Sequence, residues 1–198
     1  MFSNINTGGA QEGGEKVLTG EFQKLYETVF PLLFRVSYRI TYNHDAAEDL
    51  CQDAFFRLHE KNMVFPNPEE AKYWLIRVVK NASLNYAKRK VREQKAYQRA
   101  FKEDTRKSET GENILLKKET MSEVREALEK LPNNLRIVLI LKEYGELNYK
   151  EIGRALGISE GNVKVRVFRA RERLTLLLSA LNTSGNETGT TKDGINVS

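Results

Sequence analysis

The segment from Tyr149 to Arg173 constrains this chain more than any other. It reads as a short helix, a tight turn at Gly157 and a second helix opened by Ser159, which is the layout of a helix-turn-helix. Val163, Val167, Ala170 and Leu174 recur at i, i+4, i+7 and i+11, so one stripe of the second helix faces a core. The opposite side gathers Lys164, Val165, Phe168, Arg169 and Glu172. Burial does not need Val165 and Phe168 there. A helix lying in a major groove does, because apolar groups meet thymine methyls while Lys and Arg reach phosphates and guanine edges. Lys164, Arg166, Arg169, Arg171 and Arg173 make the helix basic, and Asn162 stands near its start, within reach of a base edge or a phosphate. Ser159 suits the N-cap, where its hydroxyl can accept the Asn162 amide. The free amides of the first turn offer a second place for phosphate. The competing account, a basic helix that merely solvates a small domain, leaves Val165, Phe168 and the turn unexplained.

The 198 residues leave room for one large or two small domains, and a net charge of +5 fits a nucleic-acid partner. The single cysteine, Cys51, excludes an intrachain disulfide, and with only His44 and His59 beside it no metal cluster or cofactor is expected. The apolar runs are too short to span a membrane, and residues 1–20 carry no apolar signal core. A soluble, cytoplasmic protein without direct membrane insertion is expected. There is no nucleophile–base constellation and no Gly-rich phosphate loop, so no enzyme is expected.

Residues 1–20 and 182–198 are polar, Gly-, Thr- and Asn-rich tails, expected to be disordered. Helices are expected over 21–29 and 31–42, with Pro31 kinking the path or opening the second of them. A third helix runs from an Asp45/Glu48 capping box to Lys61. Two prolines break residues 62–68, and a long helix follows from Glu69 to about Arg92. Residues 93–113 are polar and dense in both charges and read as a flexible linker. A second helical cluster covers 114–181. With no strand-like alternation, the fold class is all-α: two small helical domains, 21–92 and 114–181, joined by a flexible polar linker.

The first domain carries two unusual faces. Ala47, Cys51, Ala54 and Leu58 form the buried stripe of one helix, and its opposite side gathers Asp49, Gln52, Asp53 and Phe56. An aromatic ringed by acids resembles a docking patch for a basic partner; equally, Phe56 could pack on a neighbouring helix. In the long helix Leu75, Val79, Ala82 and Tyr86 form the core stripe. The other side holds Trp74, Arg77, Asn81, Asn85 and Lys88, with Arg89, Lys90 and Arg92 extending the charge. Rings, amides and cations on one face suit single-stranded nucleic acid. Taken alone, Trp74 reads better as part of the core, but the basic cluster shows no acidic balance nearby. Cys51 reads as a small core residue, His44 as turn chemistry and His59 as solvated.

Three elements in order, Ala47 to Leu58, Tyr73 to Asn81 and the basic helix-turn-helix, closely resemble the bacterial extracytoplasmic-function sigma factors of the sigma-70 family. The resemblance covers about Glu21 to Leu181. It implies that residues 21–92 are region 2, a helical bundle, and that residues 114–181 are region 4, the helix-turn-helix. It implies that Asp49, Gln52, Asp53 and Phe56 dock on the β′ coiled coil of core RNA polymerase, which also offers its β subunit. It places Trp74, Arg77, Asn81, Asn85, Lys88, Arg89 and Arg92 at the −10 promoter element. It places Asn162, Lys164, Val165, Arg166, Phe168 and Arg169 at the −35 element. The linker would thread polymerase channels, and an anti-sigma factor, often membrane-anchored, would hold the protein inactive. Val165 departs from the small polar residue frequent in relatives, so promoter bases do not carry over. Two other readings stand beside this one. A stand-alone helix-turn-helix regulator with a helical effector domain would bind duplex without polymerase. A helical adaptor would ignore charge reversal at Lys164 and Arg169.

Overall fold

The structure, a computed structural model, describes residues 9–61, 63–100 and 115–186. Every regular element among them is helical: α1 (Gly9–Thr41), α2 (His44–Glu60), α3 (Pro68–Ala100), α4 (Leu115–Lys130), α5 (Asn133–Glu143), α6 (Tyr149–Leu156) and α7 (Glu160–Asn186). The all-α architecture of two small units, α1–α3 and α4–α7, is as expected. The element ends differ. α1 begins at Gly9 and α7 runs to Asn186, so 9–20 and 182–186 are helical where tails were expected. Within the expected linker, residues 93–100 continue α3, and 101–113 lie outside the described residues, as do 1–8 and 187–198.

One helix passes through Pro31 where a new helix was one of the expectations. A proline inside a helix costs about 3 kcal/mol. Val29, Leu33, Val36 and Ile40 are all buried along α1, at roughly 1.5–3 kcal/mol each, and together they outweigh that cost. Tyr26, Phe30, Phe34 and Tyr38 stack along the same helix at centroid separations of 4.9, 6.5 and 6.1 Å. Phe55 of α2 closes on Tyr26 at 4.8 Å. His59, expected to be solvated, is exposed yet stands edge-on to Phe22 at 5.5 Å, and His44 stands edge-on to Phe34 at 5.0 Å.

The cap of α2 is Asn43, two residues before the expected Asp45. Its Oδ1 accepts the Ala46 amide at 2.8 Å, and Asp45 lies in the first turn. The buried stripe of α2 is as read: Ala47, Cys51, Ala54 and Leu58, with Phe55. On α3 the buried line is Leu75, Ile76, Val79 and Ser83, while Ala82 and Tyr86 are half-buried. Ser83 enters the core because its hydroxyl is satisfied: it donates to Val79 O at 2.8 Å and meets Ser37 Oγ at 2.8 Å. Beyond Ala87 the helix leaves the bundle, and residues 88–99 are exposed.

In the second unit, Leu128, Leu131, Leu139 and Ala170 join α4, α5 and α7. Asn148 caps α6 in a reciprocal box: it accepts the Glu151 amide at 2.9 Å, and Glu151 Oε2 accepts the Asn148 amide at 2.8 Å. The two units also touch each other. One continuous core runs from Val36 and Val79 to Leu147, Ile152 and Val163, with α1 against α5 and α3 against α6. Gly145 sits at this join. A Cβ there would stand 2.7 Å from Leu141 O and 3.3 Å from Val36 Cγ2.

Candidate nucleic-acid and docking faces

The turn between α6 and α7 is built by two glycines. Gly157 adopts φ 69°, the left-handed conformation that glycine tolerates best. At Gly153 a Cβ would stand 2.7 Å from Ile158 O, so the returning backbone closes where only glycine leaves room, and the Ile158 amide bonds Gly153 O at 3.0 Å. Gly153 was missed in the sequence, since its reason lies across the turn. The Asn162 amide donates to Ser159 Oγ at 3.3 Å, which is the expected cap.

On α7, Val163, Val167 and Ala170 are buried and Leu174 is half-buried. Asn162, Lys164, Val165, Phe168 and Arg169 are exposed, and Arg166 is half-buried at the edge of the stripe. Phe168 is 64% exposed and Val165 48%, far more than core packing would leave. Lys164 is held by Glu160 at 2.8 Å, and that hydrogen bond raises its pKa while holding Glu160 below the usual carboxylate range. Arg171 is not part of the outward face. It bonds Glu143 at 2.6 Å and ties α7 to α5.

On α2, Asp49, Gln52, Asp53 and Phe56 all point into solvent. Phe56 is 66% exposed, so it does not pack on a neighbouring helix. Gln52 donates to Glu48 at 3.2 Å, within its own helix.

On α3, Trp74 is half-buried and faces Phe65 at 6.0 Å, interplanar angle 53°. With Pro66, Asn67, Tyr73 and Arg77 they line an open hollow of about 390 Å³. Asn81, Asn85, Lys88, Arg89 and Arg92 continue the same helical face, all exposed. One expectation is corrected here, and one side chain has partners the sequence did not suggest. The basic cluster does have an acid beside it, because Glu93 pairs with Arg89 at 3.4 Å and Lys90 at 3.2 Å. Arg77 is engaged: its Nε and Nη2 donate to Ala155 O at 3.2 Å and Arg154 O at 3.1 Å, at the end of α6. No cluster of His, Cys, Asp or Glu among the described residues could hold a metal, and no described helix is long and apolar enough to cross a membrane.

A family model described as Sigma-70 region 2 matches residues 25–93, and one described as Sigma-70, region 4 matches residues 121–174. The ECF RNA polymerase sigma factor SigM of Bacillus subtilis is 30% identical over 158 residues, 78% of this chain and 93% of the relative. SigM of Mycobacterium tuberculosis is 31% identical over 165 residues, 83% of this chain and 81% of the relative. SigE of Mycolicibacterium smegmatis is 28% identical over 166 residues, 81% of this chain; the match spans 63% of that relative's length. The sigma factor RpoE of Bartonella quintana, solved with the anti-sigma factor NepR, is 25% identical with a TM-score of 0.55, covering 80% of this chain and 96% of that one. CnrH, solved with the cytosolic domain of CnrY, shares the fold at 21% identity and a TM-score of 0.59, over 80% of this chain and 88% of that one.

Proposed function

The chain belongs to the extracytoplasmic-function sigma factors of the sigma-70 family, and from that premise we propose how its outward faces divide the work of starting transcription. A sigma factor is a transcription initiation factor that directs RNA polymerase to promoters. The α2 face of Asp49, Gln52, Asp53 and Phe56 docks on the β′ coiled coil of core polymerase. Its aromatic supplies the buried anchor and its acids meet basic groups. The α3 face captures the opened −10 strand: Trp74 stacks, Asn81 and Asn85 bond base edges, and Arg77, Lys88, Arg89 and Arg92 hold phosphates. The start of α7 enters the −35 major groove, where Lys164 and Arg169 reach phosphate or guanine, and Val165 and Phe168 meet apolar base edges.

One observation carries this reading. Phe56, Val165 and Phe168 are 66%, 48% and 64% exposed, on helices matched by the two sigma-region models, so folding leaves free the apolar groups that a partner would bury. The domains are 21–92 for region 2 and 114–181 for region 4, with 93–113 threading polymerase channels between them. Both solved relatives named above were captured with CnrY or NepR, which supports an anti-sigma partner here. The protein works in the cytoplasm, at the membrane only when such a partner holds it there. A stand-alone regulator would leave the region 2 match without a role.

Run-off transcription with core polymerase on genomic fragments tests the whole reading. Discrete products that require both core and this chain are expected. Products no different from core alone would overturn it.

A further inference from the structure

The family match to region 2 stops at residue 93, but α3 runs on to Ala100, and residues 88–99 are all exposed. The line of Asn81, Asn85 and Lys88 is carried on by Arg92, Lys95 and Arg99, each three or four residues after the last, so one side of the helix holds them all. The chemistry of that side changes on the way. Up to Asn85 it offers a ring and amides, which stack on bases or bond their edges. From Lys88 onward it offers cations alone. Between Asn85 and Ala100 the one acid is Glu93, and it pairs off the line, with Arg89 and Lys90. Among the described residues Lys88, Arg92, Lys95 and Arg99 have no ion pair. Like charges three and four apart weaken an exposed helix, and no packing offsets that here. A face that merely solvates a helix interleaves both signs, so neither stability nor solubility accounts for this row.

We propose that residues 94–100 form an arm for double-stranded DNA, in which Lys95 and Arg99 extend the row begun by Lys88 and Arg92 along the phosphates of the duplex next to the −10 element. Cations without rings or amides suit paired bases, because a helix lying along the backbone of a duplex reaches phosphates and not base edges. From Lys88 to Arg99 the row spans about 16 Å at about 1.5 Å per residue, room for about four phosphates of one strand at about 3.4 Å of duplex axis each. The boundary between open and paired bases then falls near Asn85 and Lys88, where the side changes from amides to cations. Such a contact carries no sequence information; it adds affinity and holds the protein in register. It assigns 94–100 to DNA and leaves 101–113 for the polymerase channels. The place of that duplex beside the −10 element rests on the α3 role proposed above; the affinity of the row for duplex phosphate does not.

The test has two arms. In the first, fluorescence anisotropy follows the full chain on a mixed-sequence DNA duplex over a range of salt. The double variant Lys95→Gln/Arg99→Gln should lower the slope of log K against log salt by about two, since each lost phosphate contact removes about one. Lys24→Gln/Lys61→Gln removes two exposed cations of α1 and the end of α2 and should leave the slope near the wild-type value. An unchanged slope in the first pair, or an equal loss in both pairs, overturns the arm. In the second, Arg99→Cys carries an iron–EDTA reagent in holoenzyme on a promoter found by run-off transcription; the native Cys51 is buried and is not labelled. Strand cleavage is expected in the duplex that flanks the −10 element. Cleavage confined to the open strand, or absent from the DNA, overturns the arm. The salt series needs no promoter. A slope lowered only by the Lys95/Arg99 pair, with no run-off product from any fragment, supports the row as a duplex contact and overturns the sigma assignment of α3.

Discussion

Phe55 and Phe56 are adjacent in sequence, yet Phe55 is 2% exposed and Phe56 66%. A helix turns about 100° per residue, enough to carry one ring into the aromatic cluster of α1 and the other into water. The two positions therefore separate folding from function. Phe55→Ala should lower unfolding free energy by about 3–5 kcal/mol, the usual cost of emptying a buried aromatic site. Phe56→Ala should change stability by no more than about 0.5 kcal/mol while weakening core polymerase binding by more than about 1 kcal/mol. Denaturant titration beside a core-binding titration reads both, and a Phe56 variant with full core affinity would remove it as an anchor. Cys51 lies on the buried side of the same helix. Burial, with Glu48 nearby, pushes its thiol up to about 12, so the reactive thiolate is scarce near neutral pH. The native chain should resist iodoacetamide at about pH 8, and the unfolded chain should be labelled promptly; mass spectrometry decides. Rapid native labelling would contradict the packing around it.

Helix α6 depends on two residues at its start. Asn148→Ala should cost about 1 kcal/mol of region 4 stability, the ordinary worth of an N-cap. Glu151 both closes the capping box and meets Lys72. Burial pushes its carboxyl up, but the hydrogen bonds from Lys72 and the Asn148 amide outweigh that and hold it below the usual carboxylate range. A folded value below the unfolded one gives stabilisation that is complete above the unfolded pKa and lost as pH falls through the folded one. Acid unfolding followed by circular dichroism should therefore begin at higher pH in wild type than in Glu151→Gln, after correction for the variant's lower starting stability. Identical acid profiles would deny Glu151 this role. The helix-turn-helix was legible in the sequence because its causes are local: Ser159 caps three residues on, Gly157 bends where it stands, and Val163, Val167 and Ala170 repeat on one face. That Asp49, Gln52, Asp53 and Phe56 share one side of α2 was legible for the same reason, whereas the choice between solvent and a neighbouring helix for Phe56 was not. The engagement of Arg77 and Lys72 was not. Their partners lie 78 and 79 residues away, and no periodicity encodes a contact between two separately formed units. The choice at Pro31 between a continued path and a new helix stayed open on similar grounds, since the support for one helix comes from α2 and α3.

At the scale of the molecule, the free α2 face and the occupied α3 face imply an order of events. On the roles proposed above, a chain that offers Asp49 and Phe56 to solvent while α6 holds Arg77 meets polymerase before it meets an open strand. Two substitutions separate these steps. Asp49→Arg should weaken core binding by about 2–5 kcal/mol, as reversing a charge in a desolvated interface does, with the melting curve nearly unchanged because Asp49 is exposed. Arg77→Ala removes a bond to α6 along with the proposed phosphate contact, so core affinity should hold while promoter opening falls. Permanganate footprinting of the −10 region, run beside a core-binding titration, reads both steps on the same samples. Loss of core affinity in Arg77→Ala, or normal core affinity in Asp49→Arg, would reverse the roles assigned to the two helices.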